Sequence, residues 1–484
     1  MNISIFRCSA AVWFPTTFLF CIPGTLDKTF NACGSFPGTK TTKIDRGFSQ
    51  ANSIALQQDG KLVVAGSSTT SASGGGFINS FAVARFTVDG SLDRTFNTNG
   101  SKPGTICVEI GEPTNGIPGR SVALQTDGKI VVAGTITVNG VKNFAVARYN
   151  KNGTLDTTFN AHGKKPGTTY TTIGGPANNS DCAGVALQQD GKIVVAGGVD
   201  IVGATSNIGV ARFNADGTLD TTFDPSGSKP GTAYTTVGGD IYSQGQGIVL
   251  QSDGKIVISG TIYIADGGGD IERIAVARFT TDGVLDTTFN ANGPKPGTAA
   301  TAIGGSDVYA YAQGIALQQD GKIVVVGSVF ADLKVHFCVA RFTPDGALDR
   351  TFNGSGVQPG TAYTTIDKAG HDSHALGVTL APNGAILLAG YVVLQAAGEG
   401  INEIDECAIV RFTPDGALDT AFNPSGSKPG TALIHIGGSC TSSSCSAIAL
   451  QSDGKIIVAG SVSRNTAESF KFAVARLHGD VKSL

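Results

Sequence analysis

One phrase returns seven times along this chain, and it limits the possible folds more than any other feature. "ALQQDGKLVVAG" begins at Ala55, and close variants begin at Ala123, Ala186, Val249, Ala316, Thr379 and Ala449. Two other phrases keep step with it. "FAVARFTVDG" begins at Phe81, with echoes at Ile274 and Phe472, and "TLDTTFNAHGKKPGT" begins at Thr154, with echoes at Thr25, Ser91, Thr218, Val284, Ala347 and Ala417. The aspartates of that last phrase, Asp27, Asp93, Asp156, Asp220, Asp286, Asp349 and Asp419, are spaced by 63 to 70 residues. A solenoid coil takes roughly 20–30 residues, so this period is too long for one coil. Two separate sandwiches would not need seven copies in step.

Each unit reads as four short strands: one after Pro-Gly-Thr, as in "AYTTVGG" from Ala233, then "GIALQ", "KIVVAG" and "FAVARF". β-branched and small apolar residues fill them, and Gly, Asn, Asp or Pro marks each boundary. The Asp-Gly between the second and third strands predicts a two-residue hairpin turn with both central residues at positive φ. A lone four-stranded sheet cannot cover its two faces, whereas sheets set around a ring cover one another. The expectation is an all-β, seven-bladed β-propeller over residues 25–484, with four antiparallel strands per blade. The opening "LDKTF…PGT" should complete the link that the chain lacks after "FAVARL", closing the ring through its N- and C-terminal segments.

Those three phrases in seven copies resemble the bacterial delta-60 repeat family, over essentially everything from Thr25 to Leu477. The resemblance implies a β-propeller of unknown function, often in exported or surface proteins, and supplies no catalytic residues. The sixth unit departs most, with Asn383 and Ala385 in place of Asp and Lys.

Composition bears on partners and location. The 35 Lys and Arg against 38 Asp and Glu give a net charge of −3 with no basic run, which excludes a nucleic-acid partner. Residues 1–24 carry one charge, Arg7, before "SAAVWFPTTFLFC", and read as a secretory leader interrupted by Pro15. No stretch suits stable membrane insertion. The expectation is a monomer, secreted or held at the cell surface, with a cytoplasmic location as the alternative. Nine cysteines are scattered. Cys338 and Cys407 stand where sister units have Ala82 and Phe81 and read as small buried hydrophobes; Cys440 and Cys445, flanking "TSSS", are the one pair near enough in sequence for a local disulfide.

If strands alternate in direction, the Asp-Gly turns and the "LDTTFN" segments share one face of the ring, and the length-variable links share the other. "SSTTSASGGGFINS" from Ser67, "TITVNGVKN" from Thr135, "TIYIADGGGDIER" from Thr261 and "YVVLQAAGEGINEIDE" from Tyr391 belong to the latter, the expected ligand face. The Asp-Gly-Lys triplet occurs six times with no Ser or Thr after Lys, so it is neither a P-loop nor one desolvated catalytic lysine. Arg85, Arg148, Arg212, Arg278, Arg341, Arg411 and Arg476 recur in every unit and are expected to pair within the blades rather than form an anion ring. In the sixth unit, Asp367, His371, Asp372 and His374 share one loop with the donor types of a zinc site. Asp266 and Asp270 in "ADGGGD" have those of a calcium turn. Neither set repeats, so these six stand as candidate binding residues without an assigned metal, and no cofactor signature is present. Elbow and zincin motifs are absent, Trp13 is the only tryptophan, and aromatic residues in the variable links are few: Tyr263, Tyr309, Tyr311, Phe330 and Tyr391. The resulting expectation is a non-enzymatic binding scaffold for a protein or glycan ligand. The alternative is a hydrolase or lyase with its site at the mouth of the central channel.

Overall fold

The computed structural model describes residues 22–45, 47–71, 77–110, 119–203, 205–238, 242–265, 270–305, 308–394, 404–437, 441–464 and 470–480. Among them, 28 strands form seven four-stranded antiparallel sheets, and no helix is long and apolar enough to cross a membrane. Blade 1 runs from an inner strand, Phe48–Leu56, through Leu62–Ser71 and Phe77–Phe86 to an outer strand, Thr105–Glu109. Blades 2 to 6 repeat that order, with inner strands Ser121–Leu124, Asn179–Leu187, Tyr242–Leu250, Tyr309–Leu317 and Ser373–Leu380. Blade 7 takes Thr441–Leu450, Ile456–Arg464 and Lys471–Leu477 from the end of the chain, and Thr39–Thr42 from its beginning.

The second strands show why the sequence chooses this architecture. Ile193–Val199 is buried at every position, because each blade is covered on both faces by its neighbours. A strand with two covered faces needs an unbroken apolar run, not an alternating one. The seven apolar clusters are accordingly shared between adjacent blades: Val131, Phe144 and Val146 of blade 2 pack with Cys182, Val195 and Val199 of blade 3. Ile457, Phe472 and Val474 of blade 7 pack with Leu62, Val64 and Ala82 of blade 1, which closes the ring.

The sequence units and the blades are offset by one strand. The Pro-Gly-Thr strand, read from sequence as the first of its own unit, is the outermost strand of the sheet before it, as Thr105–Glu109 pairing with Phe77–Phe86 shows. The seam copies this arrangement across the chain ends: Thr39 pairs with Ala475, and Asp27 N–H donates to Arg476 O at 2.8 Å. Gly24 N–H also donates to His478 O at 2.8 Å, so residues just ahead of Thr25 join the seam. The expected leader otherwise lies outside the described residues.

Two local expectations need correction. The Asp-Gly hairpin is not a two-residue turn. Gly60 N–H donates to Gln57 O at 2.9 Å, Gly60 alone takes positive φ (78°), and Asp59 Oδ1 accepts the Lys61 amide at 3.2 Å. This is a type I turn over Gln58 and Asp59 followed by a left-handed glycine, the three-residue form of hairpin loop.

The second correction concerns cysteine. Cys445 is disulfide-bonded to Cys407, 38 residues away, with Cα atoms 5.2 Å apart, and Cys440 lies outside the described residues. Cys407 is on the third strand of blade 6, Ile404–Phe412, and Cys445 on the inner strand of blade 7. The sister positions explain the pairing. Phe144 faces Cys182, Ile274 faces Ala312, Phe337 faces Ala375 and Phe472 faces Ala51 within the shared clusters. Between blades 6 and 7 the large-on-small contact is replaced by a covalent staple. Cys338 is buried, as expected.

Candidate functional site

On the repetitive face, every recurrent charge is consumed internally. Arg212 Nε donates to Asp220 Oδ2 at 2.6 Å, Nη1 crosses to Thr281 O of the next blade at 2.5 Å, and the guanidinium lies 4.7 Å over the Phe223 ring. Lys192 of the Asp-Gly-Lys triplet reaches Asp220 Oδ2 at 3.0 Å. The same Lys–Asp–Arg–Phe set recurs in blades 1, 2, 4 and 5, and across the seam as Lys455, Asp27, Arg476 and Phe30. Gly217 completes the lid over Phe159. Its φ of +91° and the 2.8 Å from an added Cβ to that ring leave no room for a side chain. Burial alone would raise the Asp220 pKa, but the Thr222 hydroxyl and amide, Lys192 and Arg212 outweigh it and hold the carboxyl at about 2; Asp27, Asp93 and Asp156 are held likewise. The arginine ring is therefore a set of blade-to-blade stitches and not an anion site.

Blade 6 is the exception. Ala385 replaces the lysine and Ala421 the hydroxyl-bearing threonine, and the Asp419 side chain is 18% exposed where its counterparts are 1–5% exposed. Restoring both groups with Ala385→Lys and Ala421→Thr is expected to raise stability by about 0.5–2 kcal/mol. Urea unfolding of the double variant against the parent reads this directly.

On the variable face, the sixth-unit loop does not assemble a metal site. His371 Nδ1 sits 2.5 Å from Asp367 Oδ2, and that contact helps lower the Asp367 pKa against the opposing effect of burial. Asp372 is spent elsewhere: its Oδ1 accepts Val335 N–H of blade 5 at 2.8 Å. Asn179 accepts Lys142 N–H, and Ser442 accepts Asp405 N–H, from the preceding blade in the same way. His374 stacks on Tyr391 at 5.0 Å, and burial lowers its pKa. No group of three His, Cys, Asp or Glu suited to a metal occurs among the described residues. Asp270 opens the third strand of blade 4, opposite Ala265, and Asp266 lies outside the described residues.

The structure instead gathers aromatic residues that are far apart in sequence. Tyr242, on the inner strand of blade 4, meets Tyr263 on the second strand edge-on at 4.8 Å. Tyr263 and Tyr311, the latter from the inner strand of blade 5, both lie within the electrostatic reach of the buried Glu272. Burial first, and then the Glu272 charge, push the Tyr263 phenol up to about 12 and raise that of Tyr311. Beside them on blade 5, Tyr309 (39% exposed) pairs in register with Phe330 (42%), and Tyr311 is also open to solvent. The hairpin between Ile323–Ala331 and Lys334–Phe342 carries Leu333 at its tip, at φ +64° and 84% exposed. A γ-branched residue in the left-handed region, with its side chain in water, is unfavourable on both counts.

Glu272, Tyr242 and Leu333 were missed by sequence reading. The available signal was positional: aligning the units puts Tyr242 and Tyr309 at the strand position held by Phe48 and Asn179.

The inner strands line the central channel. Residues from all seven of them, including Asn52, Ser53, Ser121, Ala183, Gly247, Gly314, Gly377 and Ser446, border a cavity of about 250 Å³, together with Arg120.

A family model described as "Domain of unknown function (DUF5122) beta-propeller" matches residues 57–96, 125–159, 188–223, 251–289, 318–352, 381–422 and 451–480. None of the curated proteins compared with the chain matches it. Similar solved structures include virginiamycin B lyase from Staphylococcus aureus, at 12% identity over 90% of this chain and 98% of that one, TM-score 0.39. Polysaccharide lyase Uly1 is 11% identical over 90% of this chain and 91% of its own, TM-score 0.44. An α-L-arabinanase from Penicillium chrysogenum is 12% identical over 75% and 93%, TM-score 0.40.

Proposed function

Because the chain belongs to the DUF5122 β-propeller family, a domain of unknown function, we propose its role from its own surface: a non-enzymatic binding scaffold that holds a protein or glycan ligand on the variable face of blades 4 and 5. The observation that carries this reading is Leu333. An exposed leucine held at positive φ, next to Tyr309, Tyr311 and Phe330, trades stability for presentation, as binding surfaces do. Stacking on tyrosines suits sugar rings and peptide side chains alike. We infer further that the protein acts as a monomer and outside the cytoplasm; the Cys407–Cys445 bond supports the location alone, since disulfides persist in oxidising compartments.

The test is binding of the purified chain to glycan and protein arrays, compared with Leu333→Gly and Tyr311→Ala. Leu333→Gly should gain about 1 kcal/mol of stability by relieving the left-handed leucine. Both variants should lose captured ligand; capture unchanged in both sinks the reading. The hydrolase or lyase alternative has one specific observation in its favour, the Asp367–His371 pair, in which a carboxylate orients an imidazole as in a general base. Turnover of any captured glycan that disappears in His371→Ala would select it.

A further inference from the structure

Arg120 is the one charged residue among the described residues that line the central cavity. It precedes Ser121, the first residue of the blade 2 inner strand, and its N–H donates to Ala133 O at 2.8 Å. In the other blades, this register position is where the inner strand bulges: Asn52, Ala183 and Ser446 occupy it and also line the cavity. Small or neutral side chains therefore surround a single guanidinium.

Unlike the seven repeat arginines, each with its aspartate, Arg120 has neither an ion-pair nor a side-chain hydrogen-bond partner among the described residues. A half-buried cation with no ion-pair partner among the described residues, at the wall of a channel of neutral side chains, favours capture of an anion. Donors stand beside it. Ser53 Oγ accepts Val122 N–H at 3.2 Å and Ser121 Oγ accepts Val185 N–H at 3.3 Å, so each hydroxyl keeps its own hydrogen to give. Each inner strand pairs with a strand on one side only, so edge amides that the serines do not engage are further donors. At about 250 Å³, the cavity has room for a small oxyanion together with waters.

We propose that the central channel is a binding site for a single oxyanion, phosphate or sulfate in chemistry, held by the Arg120 guanidinium with serine hydroxyl and strand-edge donors. It is separate from the blade 4–5 surface and does not depend on the reading given for that surface. The phosphate is either free or the terminal group of a small ester.

Isothermal titration with inorganic phosphate, sulfate and glucose 6-phosphate tests it on the full chain, wild type, Arg120→Gln and Arg120→Lys. The expectation is one site per chain in the wild type and a loss of about tenfold or more in Arg120→Gln, a charge-assisted bond being the main contact. Arg120→Lys should retain part of the affinity. Tighter binding of the ester than of phosphate identifies a phosphorylated ligand, and the reverse identifies the free ion. Thermal unfolding without anion should coincide for the three proteins, which separates lost binding from lost fold. The proposal is overturned if the wild type takes up no anion, or if Arg120→Gln binds as well as the wild type. It is equally overturned if Lys255→Gln, on the opposite face, removes the binding instead.

Discussion

Asp220→Ala should destabilise the protein by about 3–5 kcal/mol, the usual result of leaving buried charge without its partner. The substitution strands Arg212, which is stacked over Phe223 and bonded across to Thr281 O, and it frees Lys192. The molecule contains its own control. Asp419→Ala removes the same carboxylate from blade 6, where no lysine or threonine engages it and the side chain is more exposed, so its cost should be visibly smaller. Equal losses at Asp220 and Asp419 in urea unfolding would contradict the cooperative cluster described here. The acid limb follows from the same carboxylates. Asp27, Asp93, Asp156 and Asp220 sit near 2 in the folded state and near 3.8 without it. Their contribution is complete above the unfolded value and is lost as pH falls through the folded one, so stability should decline between about pH 4 and pH 2. Asp220→Asn should flatten part of that decline.

The second large effect concerns the staple between blades 6 and 7. Cys407→Ser with Cys445→Ser opens a 38-residue loop and leaves two small polar groups in an apolar cluster. The expected loss is about 2–4 kcal/mol. Cys407→Phe with Cys445→Ala tests the cause, since that pair is what the blade 5–6 contact already uses as Phe337 and Ala375. It should recover a large share of the lost stability without any covalent bond, in thermal and urea unfolding alike. A Phe/Ala variant no better than the serine pair would show that this junction cannot accept the packing its neighbours use.

Periodicity made the architecture readable, and periodicity also marked where reading would stop. Seven in-step phrases determine the blade count, because each unit must bury two faces against identical neighbours. They do not reveal which strand of a unit pairs with which across a long link, so the Pro-Gly-Thr strand was assigned one sheet too late. The seven arginines each meet an aspartate, and a feature repeated seven times is seldom a single active site. The candidate site was less legible for the opposite reason. Tyr242, Tyr263, Glu272 and Tyr311 lie on four strands of two blades, and only the register of the inner strands brings them together. The histidine loop misled because Asp372 looks like a ligand in sequence, whereas the fold uses it as one of several inter-blade latches. Cys407 and Cys445 could have been paired by aligning units and asking which residue faces which in the next blade.

The offset between unit and blade has a consequence for how such a ring can change size. Since every repeat contributes three strands to one sheet and one strand to another, the joint between chain ends uses the same contacts as the internal joints of blades 1 to 5: Asp27 with Arg476 repeats Asp93 with Arg85. A duplicated or deleted repeat would therefore leave a complete clasp behind, whichever unit was involved. Blade number in this architecture can drift by whole repeats while the fastening between first and last stays unaltered, so the family can vary its circumference without re-inventing its closure.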